Sequence, residues 1–313
     1  MKLKVGTRAS KLSLVQTQLV VDSLKKMNPD LEFEVVTIKT KGDTDARPLY
    51  TIDHKGIFEK EIDAAVRGGW VDFAVHSLKD IPSELPRELT IASVPKRESP
   101  NDVFVNDKKV QLKDIAGKSV VGTSSLRRAV QIMRLRPDVV IKPIRGNVET
   151  RVNKMLKKEF DALVLAEAGL SRLGLAGVIV ERLPIENFPP SPGQGAMAIV
   201  SREDNLDLID LLKNVEDRKS RVEITAERAL LLHINAGCRF PLAALATANQ
   251  SKLTLYASIY STDGSKRIYV TKSDVLDNTE SLGTIVADEL KEKGAMKLAE
   301  QWRDAVKEWG GKR

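Results

Sequence analysis

The stretch Val121-Gly122-Thr123-Ser124-Ser125-Leu126-Arg127-Arg128 decides the fold. It opens as a short apolar strand, turns at Gly122-Thr123, offers a serine as helix cap, and runs on in a helical pattern that ends before Pro137. A weaker copy stands at the N-terminus. There Val5-Gly6-Thr7-Arg8-Ala9-Ser10 precedes Leu12, Val15, Leu19 and Leu24 near helical spacing, stopped by Pro29. Working outward, the echo continues. The first helix leads to a strand over 33–39 and a turn at Gly42-Asp43, the second to a strand over 139–144 and the turn Arg145-Gly146-Asn147. Each copy then offers a helix (57–67 and 148–158) and a strand (72–75 and 161–164). Two β-α-β-α-β lobes are expected. Ligands of such sheets bind beyond the carboxyl ends of the strands, so the ligand belongs in a cleft between the lobes.

Proline-rich segments over 94–100 and 188–195 read as hinges between the lobes, and the strand-like run over 196–200 returns to the first lobe. From about Arg221 the character changes. A helix over 222–234 leads to the small-residue turn Ala236-Gly237-Cys238, then strands over 253–260 and 267–271 and a helix from Ser281. The expected fold class is α/β, two lobes with a ligand cleft plus a smaller α+β C-terminal domain. The expected division is 1–95 with 196–217, then 96–195, then 218–313.

At 313 residues the chain exceeds one ordinary core. Its net charge of +7 raises the question of nucleic acid, but 43 acidic residues are interleaved with 50 basic ones and aromatics are only 4%, too few for a base-stacking platform. Two readings of the excess remain: a mixed solvated surface, or a local pocket for a polyanionic small molecule. No apolar run approaches the roughly 18 residues that span a bilayer, and no signal-type apolar segment opens the chain. The single cysteine cannot form an internal disulfide, so a reducing, cytoplasmic setting is expected.

The arginines discriminate between the two readings by position. Arg8, Arg127, Arg128 and Arg145 fall at or just after strand carboxyl ends, Arg151 lies one turn into the next helix, and Arg172 follows the strand near 163–165. Ser10, Thr123, Ser124 and Ser125 add hydroxyls and N–H groups at two helix starts, where anions are favoured. Such convergence suits carboxylates or phosphates, although pairing with surface acids is the plain alternative for any one arginine. Asp80, in Ala74-Val75-His76-Ser77-Leu78-Lys79-Asp80, stands past another strand end as a lone carboxylate among cations, or as an ordinary turn residue before Pro82. Cys238 is either a small buried hydrophobe or a thiolate favoured by Arg239. Neither a metal-ligand spacing nor a phosphate-loop fingerprint is present.

Taken together, Gly6-Thr7-Arg8, Ala74 to Asp80, Val121 to Arg128, Arg145-Gly146-Asn147-Val148, Gly193-Gln194-Gly195-Ala196 and Gly237-Cys238 resemble, in the same order, the motifs of hydroxymethylbilane synthases (porphobilinogen deaminases). The resemblance spans nearly the whole chain and weakens over the last seventy or so residues. It implies two lobes like those of periplasmic binding proteins, and a dipyrromethane primer held by a thioether on Cys238. It also implies a transferase of tetrapyrrole (haem) biosynthesis. Four porphobilinogen molecules are deaminated and condensed head to tail onto the primer, and water then releases hydroxymethylbilane. By the same resemblance Arg127, Arg128, Ser125 and Lys79 hold the primer's acid groups, with Thr123, Ser124, Arg145 and Gly146 beside them. Arg8, Ser10, Arg145, Arg151 and Arg172 hold the incoming or terminal ring. Asp80 faces the pyrrole nitrogens, assists loss of the amino group and stabilises the azafulvenium cation. Phe58 lies near the reacting ring, and Lys55 belongs to a lid. The partner implied is porphobilinogen, without nucleic acid or membrane, and a monomer is expected. Departures from the pattern are Asp53-His54 where glycines are common, Ala236 for a glycine, Arg239 for an uncharged polar residue, and Val200 for an acid. The rival reading is a non-catalytic two-lobed binder of small polycarboxylate or phosphate anions.

Overall fold

The computed structural model describes residues 2–44, 59–235 and 240–305. The first sheet takes β1 (Lys2–Arg8), α1 (Lys11–Met27), β2 (Glu32–Ile38), α2 (Lys41–Thr44), α3 (Lys60–Arg67), β3 (Phe73–Ser77) and β4 (Leu89–Ser93). The chain crosses to a second sheet with β5 (Asp102–Val105), β6 (Val120–Gly122), α4 (Leu126–Leu135), β7 (Val140–Lys142), α5 (Val148–Leu156), β8 (Ala162–Ala166), α6 (Glu167–Arg172) and β9 (Ile179–Arg182). It crosses back with β10 (Met197–Arg202) and α7 (Leu206–Lys213). Then come α8 (Arg218–Ile234), β11 (Ala243–Asn249), β12 (Lys252–Tyr260), β13 (Arg267–Val275), α9 (Thr279–Glu292) and α10 (Ala295–Ala305).

The strand orders are β2-β1-β3-β10-β4 and β7-β6-β8-β5-β9, so the internal echo reaches the topology. Each lobe has five strands, where four were expected for the first and three for the second. The first three are parallel, and the fourth runs antiparallel to its neighbours. In both lobes that fourth strand, β10 or β5, is the one the chain enters directly after a crossing. An antiparallel insertion needs no crossover helix, and its short apolar run carries no helical or alternating signature. β3 (Phe73-Ala74-Val75) is buried on both faces, as a central strand under helices on either side should be. One face packs against Val20, Val21 and Leu24 of α1, the other against Ile62 and Val66 of α3. The buried stripe of α1 is Gln16, Thr17, Val20, Val21 and Leu24, which leaves Leu19 outside: the apolar spacing read from the sequence is displaced by one residue. The reason is polar burial, since Gln16 donates to Ser77 and the Thr17 hydroxyl to the Ser13 carbonyl.

The two crossings lie side by side. Glu98 N–H donates to the Gly195 carbonyl, and the Arg97 Nε to that of Gln194. Gly195 has φ +87°, and a Cβ there would sit 2.5 Å from the Glu98 carbonyl oxygen, so only glycine permits this approach. The third unit, an antiparallel sheet β11-β12-β13 under α8 and α9, locks onto both crossings through Glu227. This fully buried carboxylate accepts from the Arg97 guanidinium at 2.6 Å, the Gly193 N–H at 2.6 Å and the Ala246 N–H at 2.8 Å. Removing it strands a buried guanidinium and two N–H groups. Glu227→Ala should therefore cost about 3–5 kcal/mol of stability in urea unfolding, whereas an exposed substitution such as Glu280→Ala should leave the midpoint in place.

Candidate active site

Three helices begin at the rim of the cleft, and each is capped by a side chain that the local sequence supplies. Ser10 accepts from the Ser13 N–H at the start of α1, Ser125 from that of Arg128 at α4, and Asn147 from that of Thr150 at α5. Neither α1 nor α4 has an acidic residue in its first turn, so the positive ends of both dipoles are left to whatever the cleft binds. Glu149 in the first turn of α5 pairs with Lys11 across the cleft at 2.8 Å.

Lys79 and Asp80 sit in the single helical turn that follows β3. Solvent reaches the Lys79 side chain, yet protein surrounds its ammonium closely enough for burial to push its pKa down to about 8. Arg128 adds to that shift, and Asp80 and Asp102 oppose it. Burial likewise pushes Arg151 down to about 10, reinforced by Arg128 and Arg145 and opposed by Asp80. These mutual influences put Lys79 and Asp80 of one lobe within electrostatic reach of Arg128 of the other, and Asp80 within reach of Arg151. Arg8 and Asp80 line one small concavity with Ser13, Glu59, Val75, His76 and Ser77.

Other residues singled out from the sequence have local partners. Arg127 turns inward, to the Asp102 carboxylate at 2.7 Å and the Pro189 carbonyl at 2.8 Å. Arg128 bonds to Asp102 through Nε at 2.9 Å, to the Val164 carbonyl and to Gln194 Oε1. The side chain of Arg172, at the end of α6, is 4% exposed; it donates to Glu98 at 3.0 Å and to the Gly195 carbonyl at 2.8 Å, and so holds both crossings. The Ser124 hydroxyl donates to the Ile144 carbonyl and accepts its N–H, tying the two loops together, and Thr123 Oγ accepts from the Ser125 N–H. Gly146, at φ +114°, ends the loop from β7, and its carbonyl accepts from Arg151. Lys55, Phe58 and Cys238, with Asp53, His54, Ala236 and Arg239, lie outside the described residues.

Sequence reasoning missed Asp102 and Gln194. Burial alone would raise the Asp102 carboxyl, but the Arg127 and Arg128 guanidiniums override it and hold it at about 2. Gln194 donates to Asp102 at 2.9 Å and to the Pro100 carbonyl, and accepts from Arg128 and Lys79. The available signal was an acid opening the otherwise apolar strand Asp102-Val103-Phe104-Val105 just past a hinge.

Cations from both lobes thus face a space that Asp80 and Glu59 share, while Asp102 underpins the arginine pair behind it. The donor set suits a ligand with several carboxylates, and burial, with neighbouring cations, lowers the pKa values of Lys79 and Arg151.

By sequence, comparison with known proteins gives one family. The family description "Porphobilinogen deaminase, dipyromethane cofactor binding domain" matches residues 3–210, and "Porphobilinogen deaminase, C-terminal domain" matches 221–292. A probable porphobilinogen deaminase of Nitrosopumilus maritimus is 55% identical over 309 residues, covering 99% of each chain. The porphobilinogen deaminases of Staphylococcus carnosus and Desulforamulus reducens are 42% and 38% identical, over 95% and 96% of this chain and 97% and 98% of theirs. Among solved structures, an arginine-specific periplasmic binding protein of Salmonella typhimurium aligns over 68% of this chain and 91% of its own, at 14% identity and a TM-score of 0.41.

Proposed function

Because this chain belongs to the porphobilinogen deaminase family, we propose that the cleft described above is where its transferase reaction takes place, with Asp80 at the reacting centre. The reaction is hydroxymethylbilane synthesis from porphobilinogen, and the cofactor is dipyrromethane. What supports the placement is one observation: Lys79, Arg128, Arg145 and Arg151, drawn from both lobes, share a cleft with Asp80.

Dipyrromethane, when bound, supplies the pyrrole carbon onto which the first substrate ring is joined. Its residence requires groups for its acid side chains, and Lys79 and Arg128 with the N-terminus of α4 fit that need. Arg8, Ser10, Arg145 and Arg151 would hold the acetate and propionate of the incoming ring. Each charge-assisted bond contributes roughly 1.5–3 kcal/mol, so a ligand with two carboxylates per ring justifies so many fixed cations. Asp80 accepts from pyrrole N–H groups and stabilises the positive charge that develops as ammonia departs. The Lys11–Glu149 pair bridges the two lobes at the rim of the cleft. Arg127 and Arg172 act one step back. The first holds Asp102 and so orients Arg128, and the second fixes the crossings.

Cys238 is the proposed anchor of the primer. Intact-mass measurement tests this. The holoenzyme should show an excess of two pyrrole units that resists thiols, and Cys238→Ser should lack it; unmodified protein that still consumes porphobilinogen would overturn the assignment. A non-catalytic anion binder would show neither adduct nor turnover. The same reading divides the chain into 1–95 with 196–217, 96–195 and 218–313, and places it as a cytoplasmic monomer without nucleic acid or membrane partners. No described helix is long and apolar enough to cross a membrane.

A further inference from the structure

His76 is the residue of the Ala74 to Asp80 motif to which no role has been given. It alternates with Ser77 on β3 and so points to the α3 side, where it meets Asp63. Both are buried, at 7% and 4% exposure, and His76 Nε2 lies 3.4 Å from Asp63 Oδ1. Neither atom makes a hydrogen bond among the described residues, so the 3.4 Å approach is a close polar contact and not a hydrogen bond. Packed among Ile62, Val66, Ala74 and Leu78, such a pair is costly to keep in an otherwise apolar wall. His76 also lines, with Asp80, a small concavity at the cleft. This cavity of about 20 Å³ has polar groups of Arg8, Ser13, Glu59, Ser77 and Asp80 on its walls. It has room for about one water molecule, with enough polar groups to hold it.

We propose that His76, oriented by Asp63, takes up through this water the proton that each coupling delivers to Asp80. His76 is a positioning and relay residue that acts through Asp80, and the proposal rests on the function assigned above. Each coupling releases one proton at the ring carbon, which a nearby base can take up. In each coupling the C–N bond of the protonated aminomethyl group breaks, and its electron pair leaves on ammonia. A C–C bond then forms from the electrons of the pyrrole ring, and the proton of that ring carbon is released to the Asp80 carboxylate. Asp80 must lose this proton to be ionised for the next round, and the groups coupled to it electrostatically include the cations Lys79 and Arg151. An imidazole backed by a carboxylate can take it and pass it to bulk water as ammonia leaves. Among the described residues, the charged or titratable groups that face His76 are Asp63 and Glu59 from α3, Arg8 from β1 and Asp80. β10 presents Ala198 opposite.

The test uses primer-loaded holoenzyme, verified by mass, so that an inactive parent would instead count against the assigned function. His76→Gln should lower kcat on the order of a hundredfold at unchanged KM, with the lost rate partly restored by added imidazole, as for a missing proton acceptor. The pH profile of kcat should change shape in His76→Gln and in Asp63→Asn. A second readout needs no turnover: only three histidines are present, and the NMR signal missing from His76→Gln should titrate differently once Asp80→Asn is introduced. Wild-type kcat in His76→Gln would overturn the proposal. So would a lowered kcat with an unaltered pH profile and no imidazole rescue, or a His76 signal indifferent to Asp80. If His76→Gln fails to fold, the pH profile of kcat in Asp63→Asn decides: a changed profile supports the relay, and a wild-type profile overturns it.

Discussion

Asp80→Asn should reduce porphobilinogen turnover on the order of a thousandfold while leaving the fold and the loaded primer intact. The substitution keeps volume and hydrogen-bonding capacity and removes only the charge, in a turn that solvent reaches, so little stability is at stake. What is lost is the anion facing the charge that develops as ammonia leaves. A second consequence follows from the neighbours. Asp80 is among the groups that raise Lys79 and Arg151 against burial and their fellow cations. Without it Lys79 drops below about 8. The ammonium faces the primer's acid groups and its fraction falls as pH exceeds its pKa, so kcat should begin to fall at lower pH in the variant than in the parent. Steady-state kinetics between pH 7 and 9, with intact mass confirming primer occupancy, measure both effects. Near-normal kcat would remove Asp80 from the mechanism.

The parts that were legible in the sequence are those whose cause is local. A Gly-Thr turn, a serine cap and a helical period place α1 and α4 with their N-termini at the cleft, because cap and turn preferences act over a few residues. Arg127 and Arg128 show where such reasoning stops. They are adjacent in sequence, but about 100° apart around a helix. One turns toward Pro189 and the neighbourhood of Tyr260, the other toward Gln194 and Lys79. Which of the two faces the cleft depends on Asp102, and no local rule links Asp102 to a helix that begins 24 residues later. β4, β5 and β9 were missed for a related reason. They are short runs whose stability comes from long-range antiparallel pairing and not from any period of their own. Arg172 was placed by its position past a strand end, but its contact with Glu98 arises only because the two crossings meet.

Arg128→Leu should be the second large effect, and it separates primer assembly from turnover. Arg128 is buried between Asp102, Gln194 and the Val164 carbonyl, and it is the foremost cation lowering Lys79. The leucine leaves Asp102 with Arg127 alone, a half-broken buried network whose cost is about 3–5 kcal/mol. The protein should therefore be recovered at lower stability, and as primer-free apoenzyme by intact mass, since the groups that gather the primer's carboxylates are disrupted together. The linkage runs in a definite direction. A carboxylate held at about 2 contributes stability above its unfolded pKa of 3.8 and loses it as pH falls toward 2. With one guanidinium gone the Asp102 pKa rises toward 3.8, so this contribution shrinks and acid unfolding should begin at higher pH. Lys79, relieved of its main repulsive neighbour, should move up from about 8, so that it stays an ammonium into more alkaline solution. Arg128→Lys keeps the charge but not the planar fork that reaches Asp102 and Gln194 together, and should recover the charge repulsion on Lys79 without recovering primer loading. A fully loaded Cys238 in Arg128→Leu would show that primer assembly does not depend on Arg128, and would return the gathering of carboxylates to Lys79, Arg145 and Arg151.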